Sequence, residues 1–478
     1  MILHVLIGHR YGFHRDELAT LDDARYLAWG YVAYPPVTPF FGRLSLTLFG
    51  TSLTGFRFFA ALSAAASILL TGLMARELGG SRTAQIMSAL AATPFCLAMG
   101  SLMQYVAFDY LCWVLVAYFA VRLCKSNDPR WWIALGMAIG LGMLTKYSMI
   151  FCVAGLVTGV LLTDLRQHLK SKWLWIGAGC SVLIFLPNLI WQMQHHFISL
   201  DFLRHIHERD VRIGRTKDFI PDQLTMNLFA FPVALLGFYY YLFSQSGHRW
   251  RALGWLYLIP LLLFLVARGR GYYLAPAYPI LFAGGAVWTE KRFRQWSQRW
   301  SGPAWALIWI ALLINIAVIC AVVLPLAPIN SQWCKAAMRT NDDLAEEIGW
   351  PELVETIARI RDSIPEKDRG RLGILAGNYG EAGAINLYGP AYALPRAICG
   401  TNSYWARGYG DPAPETLIVV GGSREFVEHY FEYSEVAARS WNRYGIANEE
   451  TTRHPDIFLC RGLRLGWPEF WKGFQRYG

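Results

Sequence analysis

Long apolar segments separated by short polar loops make up most of the first 327 residues. About ten of these segments approach the length of about 20 residues that a helix needs to cross a bilayer. They lie at 52–76, 82–103, 105–123, 131–145, 148–164, 173–193, 226–244, 250–267, 272–289 and 303–327. Because a chain in lipid must satisfy its backbone hydrogen bonds internally, the pattern predicts a polytopic α-helical membrane protein with about 10–11 transmembrane helices.

Two shorter apolar stretches precede the first long segment. "MILHVLIG" (1–8) is too short to span a bilayer and is expected to be the end of a first helix whose beginning is missing. "GRLSLTLFG" (42–50) is predicted to form an interfacial helix. Residues 9–50 are therefore expected to form the first long loop at one membrane face.

The chain changes character after Ala327, where charged residues become common. "LAEEIGWPELVETIARIRDSI" (344–364) has helical periodicity. Runs with strand-like composition follow at 371–377, 416–422 and 457–463. The pattern predicts a membrane domain over 1–327 and a soluble α/β domain over 328–478, which is of ordinary domain size.

The composition supports a membrane protein. Apolar residues make up 54% of the chain and charged residues 16%, with a mean hydropathy of +0.28. The 20 Trp, 24 Tyr and 27 Phe suit the aromatic belts of membrane interfaces. The net charge of +10 is scattered among hydrophobic segments and forms no basic stripe, which argues against a nucleic-acid partner.

Positive residues are unevenly divided between alternate loops. In the set of loops with fewer Lys and Arg residues, the short loops hold only Lys146, Arg268 and Arg270. The loops rich in Lys and Arg lie at 76–82, 122–130, 166–172, 249–251 and 291–299. Because positive loops stay in the cytoplasm, residues 9–50, the long loop at 194–225 and the C-terminal domain are predicted to face the bacterial periplasm. The long loop is expected to be a polar, mobile cover over a cavity on that face.

Three of the nine cysteines, Cys334, Cys399 and Cys460, fall in the C-terminal domain. An oxidising periplasm would permit a disulfide, and Cys399–Cys460 is the candidate pair, although sequence alone does not establish it. The chain has no CxxC spacing, so a zinc site of that type is not expected.

An acidic pair, Asp16-Glu17, opens the first long loop directly after the apolar stub. His14 and Arg15 flank the pair and favour its ionised form. A carboxylate at the mouth of a membrane domain can act as general base towards a hydroxyl or amine. The alternative is that both acids are solvated loop charges.

Further candidates lie near the ends of apolar segments. Asp109 stands within one, where an ionisable residue is costly and usually functional, unless it is an interfacial acid that reaches water. Lys146, Arg268 and Arg270 break the charge bias of their loops, as expected for residues that bind a phosphate. The adjacent aromatic residues, which are either donors to that phosphate or plain interfacial tyrosines, are Tyr272 and Tyr273.

The histidines of the long loop match no established zinc pattern. His205 and His207 would point to different faces of a helix, so no metal site is predicted. His195 and His196, with Tyr31 of the first loop, are candidates for contact with an acceptor. "GNYGEAGA" has the spacing GxxGxxG, which favours a strand-to-helix turn over a dinucleotide loop.

Several motifs occur in a familiar order: "HRDELATLDDARYLAWGYVAYPPVTPF", "LFGTSLTGFRFFAAL", "ARELGG", "LTKYS", "FLPNLIWQ" and "GYYLAPAYP". Over 9–290 they resemble bacterial members of glycosyltransferase family 39, which holds the protein O-mannosyltransferases and the aminoarabinose transferases that modify lipid A. The most specific pieces are the Asp-Glu pair and the Gly-Tyr and Pro-Pro that follow it. "NYGEAGAINLYG" and "NSYWARG" resemble the periplasmic tail of one bacterial branch.

This resemblance implies a GT-C fold and inverting transfer of a sugar from a polyprenyl phosphate, undecaprenyl phosphate in bacteria, to a periplasmic lipid, glycan or protein. It implies that Asp16 is the catalytic base, with Glu17 as its neighbour and Asp109 as a second acid of the site. The residues that would hold the departing lipid phosphate are Lys146, Arg268, Arg270, Tyr272 and Tyr273.

Two other functions fit the same pattern. A transporter or flippase for a lipid-linked sugar would need helix pairs repeated between two halves, and the sequence has no such repeat. A non-catalytic scaffold would retain the fold and bind a partner through its soluble domain. The sequence leaves open the sugar, the acceptor, the oligomeric state and any need for a divalent cation.

Overall fold

The structure is a computed structural model that describes residues 1–295 and 298–478, with the side chains of 298–300 also left out. Arg299, one of the loop charges considered above, has its side chain outside the described residues. The first part of the chain is almost entirely helical. Its helices are α1 (Ile2–Ile7), α2 (Arg15–Arg25), α3 (Val37–Phe49), α4 (Leu53–Glu77), α5 (Arg82–Met99), α6 (Tyr105–Ser126), α7 (Trp131–Met143), α8 (Met149–Leu161), α9 (Lys172–Gln194), α10 (Ile198–Arg212), α11 (Phe219–Asn227), α12 (Phe231–Leu242), α13 (Arg251–Val266), α14 (Tyr278–Phe293) and α15 (Gln298–Val323).

Each predicted apolar segment contains helix, but fewer helices than expected are long and apolar enough to cross a membrane. In the part of the chain that the structure describes, six pass that test, and the bent pair Met149–Leu161 and Asp164–Lys170 makes a seventh if it is one span. The expected count of spans is therefore too high by this measure. Helices such as α7, with 13 residues, and α14, with 16, fall short of the length that this test requires.

The long loop at 194–225 is helical and not a mobile coil, which corrects the expectation above. It contains α10 and the beginning of α11. Phe202, Leu203 and Ile206 place apolar side chains on one side of α10, and Phe202 is buried. This amphipathic spacing gives the segment a surface to pack, which a polar loop would lack.

The C-terminal part is an α/β domain, so the predicted fold class, a helical membrane part followed by such a domain, is confirmed. Its elements are α16 (Gln332–Thr340), α17 (Trp350–Ser363), α18 (Glu366–Arg369), β1 (Leu372–Ala376), α19 (Tyr379–Tyr388), β2 (Ala397–Cys399), β3 (Thr416–Val420), α20 (Arg424–Tyr430), β4 (Phe431–Arg439), α21 (Glu449–Thr452), β5 (Asp456–Leu463) and α22 (Trp467–Gly473). The strands form one mixed sheet in the order β2-β1-β3-β5-β4. β1 runs parallel to β2 and β3, and β5 runs antiparallel to β3 and β4.

The sheet order separates the two cysteines of the expected disulfide. Cys399 ends β2 and Cys460 lies in β5, with β1 and β3 between them. Three strand spacings amount to about 14 Å, about twice the largest Cα separation that a disulfide tolerates. Both residues are free and buried, so the expected pairing is wrong.

The acidic opening segment is folded between the two parts of the molecule. α2 packs against α19, and a Cβ on Gly383 would come within 2.7 Å of the Leu18 backbone, so only glycine permits this approach. Leu18 and Leu21 are fully buried in a core that also includes residues of α4, α17 and β1. This packing fixes α2, and with it Asp16, against the α/β domain.

Candidate active site

A cavity of about 850 Å³ lies between the membrane helices, α10 and the α/β domain. The membrane part contributes residues from α2 and from the loops before α8 and α14. The α/β domain contributes Tyr379, Arg476 and the C-terminal residue Gly478. Four of the residues predicted from the sequence line this cavity: Asp16, Lys146, Arg270 and Tyr273.

Asp16 lies in the first turn of α2, and its side chain is 43% exposed. The Gln104 amide donates to its Oδ2 over 3.0 Å, and the Tyr379 hydroxyl donates to its Oδ1 over 2.8 Å. The positive end of the helix dipole also favours a carboxylate here. Each oxygen keeps a further lone pair that can accept a proton from a molecule in the cavity.

Glu17, the neighbour of Asp16, points into the protein and is not among the residues that line the cavity. It is fully buried, and the Arg57 guanidinium donates to it at distances down to 2.6 Å. Its carboxylate also accepts from the backbone amides of His14 and Met103. These contacts join α2, α4 and the chain before α6, so Glu17 holds Asp16 in place.

Lys146 projects into the cavity from the loop between α7 and α8. Its ammonium lies over three tyrosine rings, 4.2 Å from the centre of Tyr273, 5.1 Å from Tyr105 and 5.3 Å from Tyr272. Aromatic faces attract cations. Burial nevertheless lowers the pKa of Lys146 to about 8, with the nearby Asp109 carboxylate opposing the shift.

The two arginines of "ARGRGYY" have different positions. Arg270 lines the cavity, and its Nε donates to Asp210 Oδ2 over 2.5 Å. Tyr272 and Tyr273 also lie close to the Arg270 guanidinium. Arg268 is exposed, has a positive φ of 48°, and does not line the cavity.

Asp109 lies behind Lys146 and not in the cavity wall. It is 2% exposed, in the second turn of α6, and its Oδ1 accepts no hydrogen bond from the described residues. Its charge acts on Lys146. The geometry thus places Asp109 where it can help to keep Lys146 protonated.

The residues expected to contact an acceptor lie elsewhere. His195 and His196 are exposed at the end of α9, outside the cavity wall, and the His195 ring stacks on Trp191 at 3.9 Å. Tyr31 is 3% exposed and does not line the cavity. Its hydroxyl lies within hydrogen-bond distance of backbone atoms of Asp23 and Ala28, so it braces the chain after α2.

Sequence reasoning missed the residues that complete the cavity. Gln104, Tyr105 and Tyr379 contact Asp16 or Lys146. Gln104 and Tyr105 belong to no quoted motif, and Tyr379 lies in "GNYGEAGA", which predicted a turn and no role beside Asp16. The predicted strand-to-helix turn lies between β1 and α19, and Tyr379 is the first residue of α19. In the described residues, no group of three or more His, Cys, Asp or Glu side chains is placed to hold a metal ion.

Comparison with known proteins gives matches to glycosyltransferases. A family model described as dolichyl-phosphate-mannose-protein mannosyltransferase matches residues 33–191. The chain is 25% identical over 285 residues to the lipid A galacturonosyltransferase RgtD of Rhizobium johnstonii, covering 56% of this chain and 60% of RgtD. It is 28% identical over 269 residues to the undecaprenyl phosphate-alpha-4-amino-4-deoxy-L-arabinose arabinosyl transferase 2 of Pseudomonas fluorescens, covering 52% of this chain and 48% of that protein. The chain therefore spans less than two thirds of the curated relatives it matches.

Solved structures extend the similarity over nearly the whole chain. The crystal structure of ArnT from Cupriavidus metallidurans bound to undecaprenyl phosphate matches with a TM-score of 0.60 and 14% identity, covering 96% of each chain. The Archaeoglobus fulgidus oligosaccharyltransferase matches with a TM-score of 0.51 and 10% identity, covering 86% of this chain and 65% of that one. These likenesses show the GT-C fold, and with the sequence matches they confirm the resemblance drawn from the motifs.

Proposed function

We propose that the chain, which is similar to PMT-like GT-C glycosyltransferases of family 39, transfers a sugar from undecaprenyl phosphate to an acceptor in the periplasm. Both curated relatives above are glycosyltransferases, and the name of one specifies an undecaprenyl phosphate donor. The acceptor is a lipid, a glycan or a protein that reaches the cavity beside Asp16.

One observation carries this proposal: an acid and a set of cations face the same cavity. Asp16 comes from α2, whereas Lys146 and Arg270 come from loops far along the chain. Transfer from a sugar phosphate needs a base for the acceptor and positive charge for the leaving phosphate. The cavity supplies both.

In the proposed reaction, the acceptor oxygen or nitrogen bonds to the anomeric carbon while the bond from that carbon to the phosphate oxygen breaks, with inversion. Asp16 takes the proton of the acceptor. Undecaprenyl phosphate leaves with the electron pair of the broken bond. Lys146 and Arg270, together with the Tyr273 hydroxyl, stabilise the charge that grows on it.

Glu17 and Asp109 are proposed to act through other residues. Glu17 fixes the start of α2 through Arg57 and the Met103 amide. Asp109 supports the charge of Lys146. Neither lines the cavity, so neither is proposed to touch the substrate.

Transfer in membranes tests the proposal. Membranes that contain the chain are given radiolabelled undecaprenyl-phosphate sugars, and incorporation into periplasmic products is measured for the natural chain and for Asp16→Asn. Loss of a general base lowers a rate by about 10²–10⁴-fold, and we expect a loss of this size. Asp201→Asn is the matched control, because Asp201 is an exposed acid of α10 outside the cavity wall.

Other results would contradict the proposal in different ways. Equal transfer by the natural chain and Asp16→Asn excludes Asp16 as the base. Movement of the labelled donor across the membrane without any transfer identifies a flippase. A folded, inserted chain that neither transfers nor moves any donor is a scaffold.

A further inference from the structure

A second cavity, of about 240 Å³, lies in the α/β domain at the carboxyl ends of β1 and β3. β1 leads through α19 to β2, and β3 leads to β4 and β5 on the other side of the sheet. The chain therefore leaves β1 towards one edge of the sheet and leaves β3 towards the other edge. Open α/β sheets bind ligands in the crevice at such a point. Gly377 and Gly421, which follow these strands, line the cavity, and Gly421 has a positive φ of 67°.

Glu450 is a wall residue of this second cavity with an unmet hydrogen-bonding requirement. Glu450 is 7% exposed, and neither of its carboxyl oxygens forms a hydrogen bond with another described residue. Burial, with Glu346 and Glu381 close by, raises the pKa of Glu450 to about 8, so the group holds its proton at neutral pH. A buried polar group without a partner costs free energy, which a ligand would recover. A protonated carboxyl both donates and accepts, as a sugar hydroxyl requires.

The cations of the second cavity lie at its rim. Arg453 is 74% exposed at its side chain, and Arg476 is also exposed. The Arg476 guanidinium rests 4.9 Å from the ring centre of Phe474 and 5.5 Å from that of Phe426. The buried end of the cavity therefore carries the carboxyls of Glu381 and Glu450, and the open end carries Arg476 and the ion pair between Arg453 and Glu449. This polarity suits a ligand that has hydroxyls at one end and an anionic group at the other.

The two cavities are neighbours. They share the wall residues Gly377, Asn378, Glu449, Arg453 and Arg476. Two of these lie close to α2. Glu449 forms an ion pair with Arg15, and Asn378 precedes Tyr379, whose hydroxyl contacts Asp16. A group held in the second cavity therefore lies close to the part of the large cavity that contains Asp16, the proposed base.

We infer that the second cavity is an acceptor subsite for an anionic, hydroxyl-rich sugar unit, such as a sugar phosphate, an inference that rests on the proposed function. Its hydroxyls bond to Glu450, and its anionic group bonds to Arg453 and Arg476. The cavity is smaller than the roughly 300 Å³ at which drug-sized pockets begin, so it holds a single sugar unit. The rest of the acceptor extends into the large cavity towards Asp16.

Binding of glucose 1-phosphate tests this subsite. The full chain, in lipid nanodiscs with saturating undecaprenyl phosphate to fill the donor site, is titrated with glucose 1-phosphate, glucose and inorganic phosphate by isothermal titration calorimetry. We expect glucose 1-phosphate to bind more tightly than either part alone. Arg476→Gln should weaken its binding about ten-fold through loss of a charge-assisted hydrogen bond. Arg339→Gln, at an exposed arginine of α16 outside both cavities, should leave the affinity unchanged.

Glu450→Leu separates a binding role from a structural one. It removes a buried polar group that has no partner, so the melting temperature should stay the same or rise while glucose 1-phosphate binding falls about ten-fold. Unchanged binding in both Glu450→Leu and Arg476→Gln overturns the inference. So does glucose 1-phosphate binding that occurs only when undecaprenyl phosphate is omitted, or inorganic phosphate binding as tightly as glucose 1-phosphate.

The test is independent of transfer, so it can be run with Asp16→Asn as well. A chain that transfers no sugar but shows the expected binding pattern contradicts the proposed reaction and keeps the sugar site. A chain that transfers sugar but binds no probe contradicts the subsite and keeps the reaction.

Discussion

Asp16 is positioned by hydrogen-bond donors from two distant parts of the chain, Gln104 before α6 and Tyr379 in α19. We expect Tyr379→Phe to lower kcat about ten-fold, because a hydrogen bond to a charged group contributes about 1.5–3 kcal/mol. KM should change little, since the hydroxyl orients the base and does not bind the donor. Steady-state kinetics in membranes measure the two constants separately.

Tyr404→Phe is the matched control for that prediction. Tyr404 lines the same cavity from the same domain, and its buried hydroxyl bonds to no other described residue. Its loss should leave kcat unchanged. Equal effects of the two variants would show that Tyr379 matters for packing and not for the orientation of Asp16.

The lowered pKa of Lys146 predicts how donor binding depends on pH. With a pKa of about 8, the ammonium is charged at pH 7 and loses its proton as the pH rises towards 9. Undecaprenyl phosphate should therefore bind about ten-fold more weakly at pH 9 than at pH 7. Lys146→Arg should remove this dependence, because a guanidinium stays charged at both pH values. Affinities of equal size at the two pH values for the natural chain would contradict the assignment of Lys146 to the phosphate.

The sequence could indicate which residues are chemically active, but not which residues contact them in the fold. Asp16 and Lys146 were identifiable because acids and cations beside apolar segments are costly. Glu17 has the same sequence signal as Asp16, and only its pairing with Arg57 shows that it is internal. Tyr379 contacts Asp16 across more than 360 positions of the chain, which no local pattern encodes.

Among the elements, α2 forms several of the contacts between the helical part and the α/β domain. Arg407 of the α/β domain forms ion pairs with Asp22 and Asp23, both of which are buried. Arg407→Gln would remove the ion-pair partner of Asp23 and leave Asp22 with only the more distant Arg25 and Arg396, so we expect it to lower the free energy of unfolding by about 3–5 kcal/mol. Arg396→Gln, at an arginine 54% exposed and 3.7 Å from Asp22, should cost less than about 1 kcal/mol.

The same change predicts a dependence on pH. Burial raises the pKa of Asp23 to about 6, although Arg407 opposes the rise. Without Arg407 the pKa of Asp23 should rise further above its unfolded value, so protonation at low pH relieves the unpaired charge. The difference in melting temperature between the natural chain and Arg407→Gln should be larger at pH 8 than at pH 5.5. A difference that grows as the pH falls would contradict this account of α2.

Elements were predictable where their hydrophobic pattern was strong. The apolar helices and the three central strands of the sheet follow from burial on both sides. α10 was missed because its charged residues masked an apolar face, and β4 was missed because most of its residues are exposed. Short β2 has three residues, too few for a periodic signal.

For the whole molecule, the contact between Asp16 and Tyr379 requires that the proposed base and the α/β domain face the same compartment. The loop charges predict that this compartment is the periplasm. Alkaline phosphatase, which is active only outside the cytoplasm, should therefore be active when fused after Gly478 and inactive when fused after Lys170. The reverse result would open the cavity to the cytoplasm. The enzyme would then have no need of a lipid-linked donor, because nucleotide sugars are available on the cytoplasmic side.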